Sequence, residues 1–118
     1  MEIGAQFFTI REHCKTLEDF AESLKKVADI GYTNVQISGT CDYEPEWLAA
    51  ELKKNGLKCV LTHTKADILQ ADPVLVAKKH DVFDCKNTKY GSQKIIFEFS
   101  KNVASNFKIY VLEVGAFF

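Results

Sequence analysis

The sequence predicts an α/β fold built on a parallel, barrel-type sheet, and three observations carry that reading. Strand-like and helix-like segments alternate in units of about 25 to 30 residues, three times in succession. Polar and apolar residues alternate along the second strand-like segment, which a sheet buried on both faces does not allow. The chain has 118 residues, 47% of them hydrophobic and 26% charged, which suits one globular domain rather than a disordered chain.

The first expected strand is Glu2 to Phe8 (EIGAQFF), with Gly4, Gln6 and Phe8 on one face and Ile3, Ala5 and Phe7 on the other. Thr16, followed three positions later by Asp19, has the spacing of a capping box. Leu17, Phe20, Leu24, Val27, Ala28 and Ile30 then recur at the spacing of an amphipathic helix, which Gly31 ends. Thr33 to Ser38 (TNVQIS) is the second strand, bounded by Gly31 and Gly39. Pro45 opens a second helix with Trp47, Leu48 and Leu52 on its apolar side and Asn55-Gly56 as its stop. Leu57 to His63 (LKCVLTH) is the third strand. Asp72 and Pro73 are the N-cap and first residue of a third helix, whose apolar side is Val74, Leu75, Val76, Ala77 and Val82 and which ends near Phe83.

The face of the second strand decides between an open sheet and a barrel. Asn34, Gln36 and Ser38 share one face, and Val35 and Ile37 share the other. In an open doubly wound sheet both faces meet helices, so a row of polar residues would need buried partners. In a closed barrel one face looks into the lumen, where polar side chains near the carboxyl ends of the strands build the site.

Charge and patterning remove several classes of function. Fifteen Lys and Arg against sixteen Asp and Glu leave a net charge of -1, so nucleic acid and anionic membranes are not expected partners. No apolar run approaches the roughly 18 residues that span a bilayer, and MEIGAQFF lacks the basic start and apolar core of a secretion signal. A cytoplasmic location is the expectation. Cys14, Cys41, Cys59 and Cys85 contain no C-x-x-C pair and read as reduced thiols packed as small hydrophobes.

The stretches IGAQFFTIRE, VADIGYTNVQISG and KKNGLKCVLTH, and the Asp-Pro-initiated helix running to FDCK, together resemble the N-terminal part of bacterial sugar phosphate isomerase/epimerases. These are the xylose-isomerase-like TIM barrels, related also to family 2 apurinic endonucleases. The resemblance covers about residues 1–86 and implies a partial (β/α) TIM-barrel-like parallel sheet of about three βα units. Residues 87–118 then form a divergent tail, not a separate domain, with two β-prone runs, Lys94 to Ser100 and Lys108 to Gly115. A complete eight-unit barrel takes about 250 residues, so a truncated, frameshifted or rearranged barrel is expected.

The same resemblance places Gln6, Gln36 and His63 at the sugar-binding mouth. Amides and imidazole offer both donors and acceptors to sugar hydroxyls, and an imidazole can serve as a catalytic base. A histidine that ends a strand also occurs simply as a hydrogen-bonded edge residue. His13 and His80 read as solvated, and Arg11 as a surface cation within reach of a phosphate, Glu12 or Glu44. No glycine-rich phosphate loop is present.

A divalent metal (manganese, magnesium, cobalt or zinc) is implied for the full-length family, on strands later than those recognised here. No metal site is expected in this chain, and Glu98 and Glu113 read as edge-strand charges. The expected function is that of a sugar phosphate isomerase/epimerase-like protein that acts on, or derives from an enzyme acting on, a small sugar or polyol. The alternative is a non-catalytic, self-associating remnant, with a homo-oligomer as the expected state. Nuclease action on abasic DNA follows from kinship alone and lacks a basic patch.

Overall fold

A computed structural model describes residues 4–90, 93–99 and 107–113, with side chains placed for residues 4–89. One sheet of six strands runs in sequence order: β1 (Gly4–Gln6), β2 (Asn34–Ile37), β3 (Lys58–His63), β4 (Asn87–Tyr90), β5 (Gln93–Phe99) and β6 (Phe107–Glu113). β1 to β4 pair in parallel, and β5 and β6 add to the β4 edge as antiparallel strands. The helices are α1 (Leu17–Ile30), α2 (Pro45–Asn55), α3 (Ala66–Ala71) and α4 (Pro73–Val82), with a 3₁₀ segment at Phe7–His13.

The expected parallel α/β sheet therefore forms, with one more parallel strand than the sequence pattern shows. β4 has only four residues, N-T-K-Y, too short to declare a period. The two β-prone runs of the tail become β5 and β6; Ser100, Val114 and Gly115 of those runs lie outside the described residues, as do Glu2 and Ile3 of the first.

The first strand is shorter than expected. After Gln6 the chain coils, and Phe8 belongs to the 3₁₀ segment rather than to a strand face. The Thr9 hydroxyl donates to the Gln6 carbonyl (2.7 Å) and the Arg11 guanidinium to the Phe8 carbonyl (2.9 Å), which closes this turn. Phe7 is thereby driven into the core, its ring 5.8 Å from that of Phe20.

Local signals set most helix ends where expected. The Thr16 hydroxyl accepts from the Asp19 backbone N–H at 3.1 Å, and Asp72 accepts from that of Leu75 at 3.0 Å. Gly31 (φ 118°) and Gly56 (φ 65°) end α1 and α2 in left-handed backbone. α1 buries Phe20, Ser23, Leu24 and Val27, while Leu17 and Ile30, expected on its apolar stripe, are exposed at the two helix ends. Ser23 is accommodated because its hydroxyl donates to the His13 carbonyl at 2.8 Å. The core lies between these helices and one face of the sheet, with Val35, Ile37 and Cys59 packed under Phe20, Leu24, Leu48 and Leu52.

α4 departs from its expected stripe. Val76, Ala77 and His80 are buried, whereas Val74, Leu75 and Val82 are exposed. His80 is therefore not solvated as the sequence suggested. It lies four residues after Val76 on the buried face, its ring 5.1 Å from that of Phe83. α3, absent from the sequence pattern, is a short helix that lies against α4 and buries Leu69.

Candidate binding site at the carboxyl ends of the strands

Residues opposite one another across paired strands share a face of the sheet, so the register alone sorts the candidate residues. Gln6 lies opposite Gln36, and Gln36 opposite Leu61. His63, two residues beyond Leu61, shares that face and lies opposite Lys89 of β4. Gln6, Gln36, His63 and Lys89 thus belong to one face, on four neighbouring strands that together span roughly 14 Å. Gln36 is half-buried, and Gln6 and His63 are exposed. Lys89 was not among the sequence candidates because β4 itself was not legible; only its alternation with Thr88 and Tyr90 hinted at a strand.

His63 reaches this face through an irregularity. The pairing shifts between Val35, opposite Cys59, and Gln36, opposite Leu61, so Val60 is the extra residue of a bulge. Unbroken alternation from Cys59 would turn His63 to the helix-covered face and Thr62 to the Gln36 face. With the bulge, Thr62 lies opposite Ile37 on the covered face and is 3% exposed.

Beside this face, over the ends of β2 and β3, lies an open cleft of about 500 Å³. His63, Thr64, Lys65, Asp42, Lys79 and His80 are among the residues that line it; Gln6 and Gln36 are not. The structure therefore puts His63 at the junction of the two regions. Gly39 (φ 70°) turns the chain at the cleft wall next to Phe8 and Arg11. The Arg11 guanidinium stacks 4.4 Å over the Phe8 ring, and Glu12 pairs with Lys15 at 2.8 Å instead of with Arg11. His13 is exposed.

Beneath the cleft runs a chain of short hydrogen bonds. His80 Nδ1 lies 2.7 Å from the Val76 carbonyl, and its Nε2 lies 2.6 Å from the Thr62 hydroxyl. Thr62 Oγ1 is 2.7 Å from Thr88 Oγ1, which is 2.6 Å from Thr64 Oγ1. Burial pushes the His80 imidazole below the ordinary histidine value, which favours its neutral form. The four cysteines are free thiols, as expected. Burial pushes Cys14 and Cys41 up, and hydrogen bonding with Cys85, then burial, raises Cys59. These three are protonated thiols, poorly suited to nucleophilic work.

Among the described residues, no three His, Cys, Asp or Glu side chains group closely enough to hold a metal ion. Glu98 lies opposite Lys108 and Glu113 opposite Gln93, so the two glutamates sit five residues apart along the hairpin, roughly 17 Å. Glu113 is at the end of the sheet that carries His63, and Glu98 is toward the other end. The two positions do not fit one metal centre.

The first three parallel strands, each followed by a helix and carrying polar residues near its carboxyl end, define a (β/α) barrel-type α/β protein. Its fold is that of part of a TIM-type barrel, and two solved structures are similar to it. One is an AP endonuclease, family 2, from Brucella melitensis, with a TM-score of 0.54 and 19% identity over 75% of this chain and 40% of that one. The other is the probable 3-DHS dehydratase AsbF involved in petrobactin synthesis from Bacillus anthracis, with a TM-score of 0.53 and 15% identity over 76% of this chain and 38% of that one. The chain thus spans about two fifths of the length of the solved structures it matches. No family model matches the sequence, and no curated protein does.

Proposed function

We propose that the chain binds a small sugar or polyol at the carboxyl ends of β1 to β4. The observation that carries this reading is the register, which places Gln6 opposite Gln36 and His63 opposite Lys89 on one face. Two amides, an imidazole and an ammonium provide donors and acceptors for several hydroxyls at once. His63 is the group of the set whose side chain can both take and give a proton, and Lys89 is suited to meet a carbonyl oxygen. The fold likeness supports a ligand site at this end of the sheet, where barrel proteins carry theirs. A titration of the isotopically labelled chain with xylitol and D-xylose tests the reading. Shifts at the Gln6 and Gln36 side-chain amides and the His63 ring are expected, and Gln36→Ala should weaken binding up to about tenfold. The absence of any shift at these residues up to about 100 mM ligand, a Kd beyond the weakest useful range, would refute it.

A second reading, self-association, is favoured by β1 and β6, which are the edge strands of the sheet among the described residues. It is compatible with the first, since pairing at an edge leaves the face of Gln36 and His63 open.

A further inference from the structure

We infer that Thr64 is a specificity-determining residue of the cleft, an obligate hydrogen-bond acceptor whose polarity His80 sets through Thr62 and Thr88, so that a bound ligand must present a hydroxyl donor there. The inference rests on the reading of the strand ends as a polyol site, and it follows from counting protons along the buried chain.

A backbone carbonyl can only accept, so the 2.7 Å contact with Val76 requires the proton of His80 to be on Nδ1. In the neutral ring Nε2 is then an acceptor, and the Thr62 hydroxyl at 2.6 Å must donate to it. That uses the single proton of Thr62, whose oxygen must accept from Thr88 at 2.7 Å. Thr88 is committed in turn, and its oxygen accepts from Thr64 at 2.6 Å. The Thr64 backbone N–H is also engaged, donating to the Lys89 carbonyl at 3.0 Å. Thr64 therefore has no proton left for the cleft that it lines, only oxygen lone pairs.

The polarity holds only while His80 is neutral; a proton on Nε2 would reverse all three hydroxyls and make Thr64 a donor. His80 is 7% exposed and packed on Phe83, surroundings that disfavour a charged ring. Among the described residues that line the same cleft, the charged and imidazole groups besides His80 are Lys65, Lys79, His63 and Asp42. A ligand ether or carbonyl oxygen at Thr64 would face lone pairs with no proton between, and a hydroxyl would satisfy both sides.

Two measurements test the inference. Long-range proton–nitrogen spectra should show His80 in its neutral form with the proton on Nδ1 at pH 7; a proton on Nε2 would overturn it. In parallel, xylitol is compared with its mono-O-methyl ethers. At least one ether should bind about tenfold more weakly than xylitol, since one hydroxyl is lost where only a donor is accepted. Thr64→Val should erase that difference and Thr64→Ser restore it. Thr62→Val, which does not line the cleft, should also reduce it, because Thr88 and then Thr64 are freed to turn. A difference that survives Thr64→Val overturns the inference. If xylitol does not bind but His80 keeps its Nδ1 proton and the Thr64 hydroxyl proton stays on the Thr88 bond, the polyol reading falls and the acceptor polarity of Thr64 stands.

Discussion

His80 shows how much one side chain's surroundings change its role. By residue type it belongs with the solvated lysines beside it; by position it completes the Val76–Ala77 face of α4 and is enclosed. Its hydrogen bonds make Thr62 structurally costly to alter. Thr62→Val should lower stability by about 1–3 kcal/mol in urea unfolding, because His80 Nε2 loses its donor and Thr88 its acceptor inside the core. His80 also links stability to pH. Its folded value lies below the ordinary 6.5, so between these two values the unfolded chain binds more protons than the folded one. Stability should be fully present above about pH 6.5 and fall as pH drops through that window. Melting temperatures between pH 7.5 and 5 check this, and His80→Asn should flatten that part of the profile. An unchanged slope in the variant would assign the pH dependence to other groups.

Among the elements, turns with one admissible residue and the bulge in β3 matter most. At Gly39 an added Cβ would lie 3.0 Å from Phe8 Cδ2 and 3.2 Å from Arg11 Cβ, in a backbone with φ of 70°. Gly56 has a similar φ of 65° but nothing within 4 Å of the same atom. Gly39→Ala should therefore cost more than Gly56→Ala, roughly 2–3 against 1–2 kcal/mol, with the Phe8–Arg11 stack displaced. Equal losses in denaturant titrations would show that the loop yields freely. The bulge makes a different expectation. Deleting Val60 closes it without turning His63, since Leu61 already lies opposite Gln36. The shortened chain should fold and keep His63 beside Lys89, at a cost of about 1 kcal/mol for the Asn87 bond to the Val60 carbonyl. Cross-strand proton contacts between residues 62–63 and 88–89 are the readout, and their loss would mean that the bulge is required for pairing.

At the scale of the whole fold, the topology of the described residues is a six-strand sheet with β1 and β6 at its edges. No helix among the described residues is long and apolar enough to cross a membrane. β1 offers three residues and β6 seven to another chain, and β6 runs in the same direction as β1 to β4. Concentration-dependent association is expected in sedimentation velocity, and Ile109→Pro on β6 should reduce it by removing a backbone donor. A single monomeric species at millimolar concentration would exclude edge pairing. The same topology bears on chemistry. A closed barrel surrounds its ligand and excludes water, which strengthens each charge it aims at the reacting atoms; a four-strand parallel face leaves the ligand solvated. The purified chain should bind polyols without isomerising ketose or aldose phosphates in the presence of manganese, cobalt or magnesium. Turnover abolished by His63→Gln or Lys89→Gln would show instead that these two groups suffice.

The order of the elements and most of their ends were determined by the sequence itself. Thr16 with Asp19, Gly31, Pro45, Gly56 and Asp72-Pro73 act through bonds and backbone angles within a few residues, so no distant partner is needed to read them. Gln6, Gln36 and His63 were singled out by the family resemblance, on strands whose rough bounds the sequence pattern already shows. Which face each residue meets was decided only in three dimensions. The bulge at Val60 turns His63 toward Gln36 and Thr62 toward His80, and β4 brings Lys89 alongside, through pairings between segments about 25 residues apart. A face depends on register, and register is settled by the joint packing of strands and helices rather than by any one segment's period.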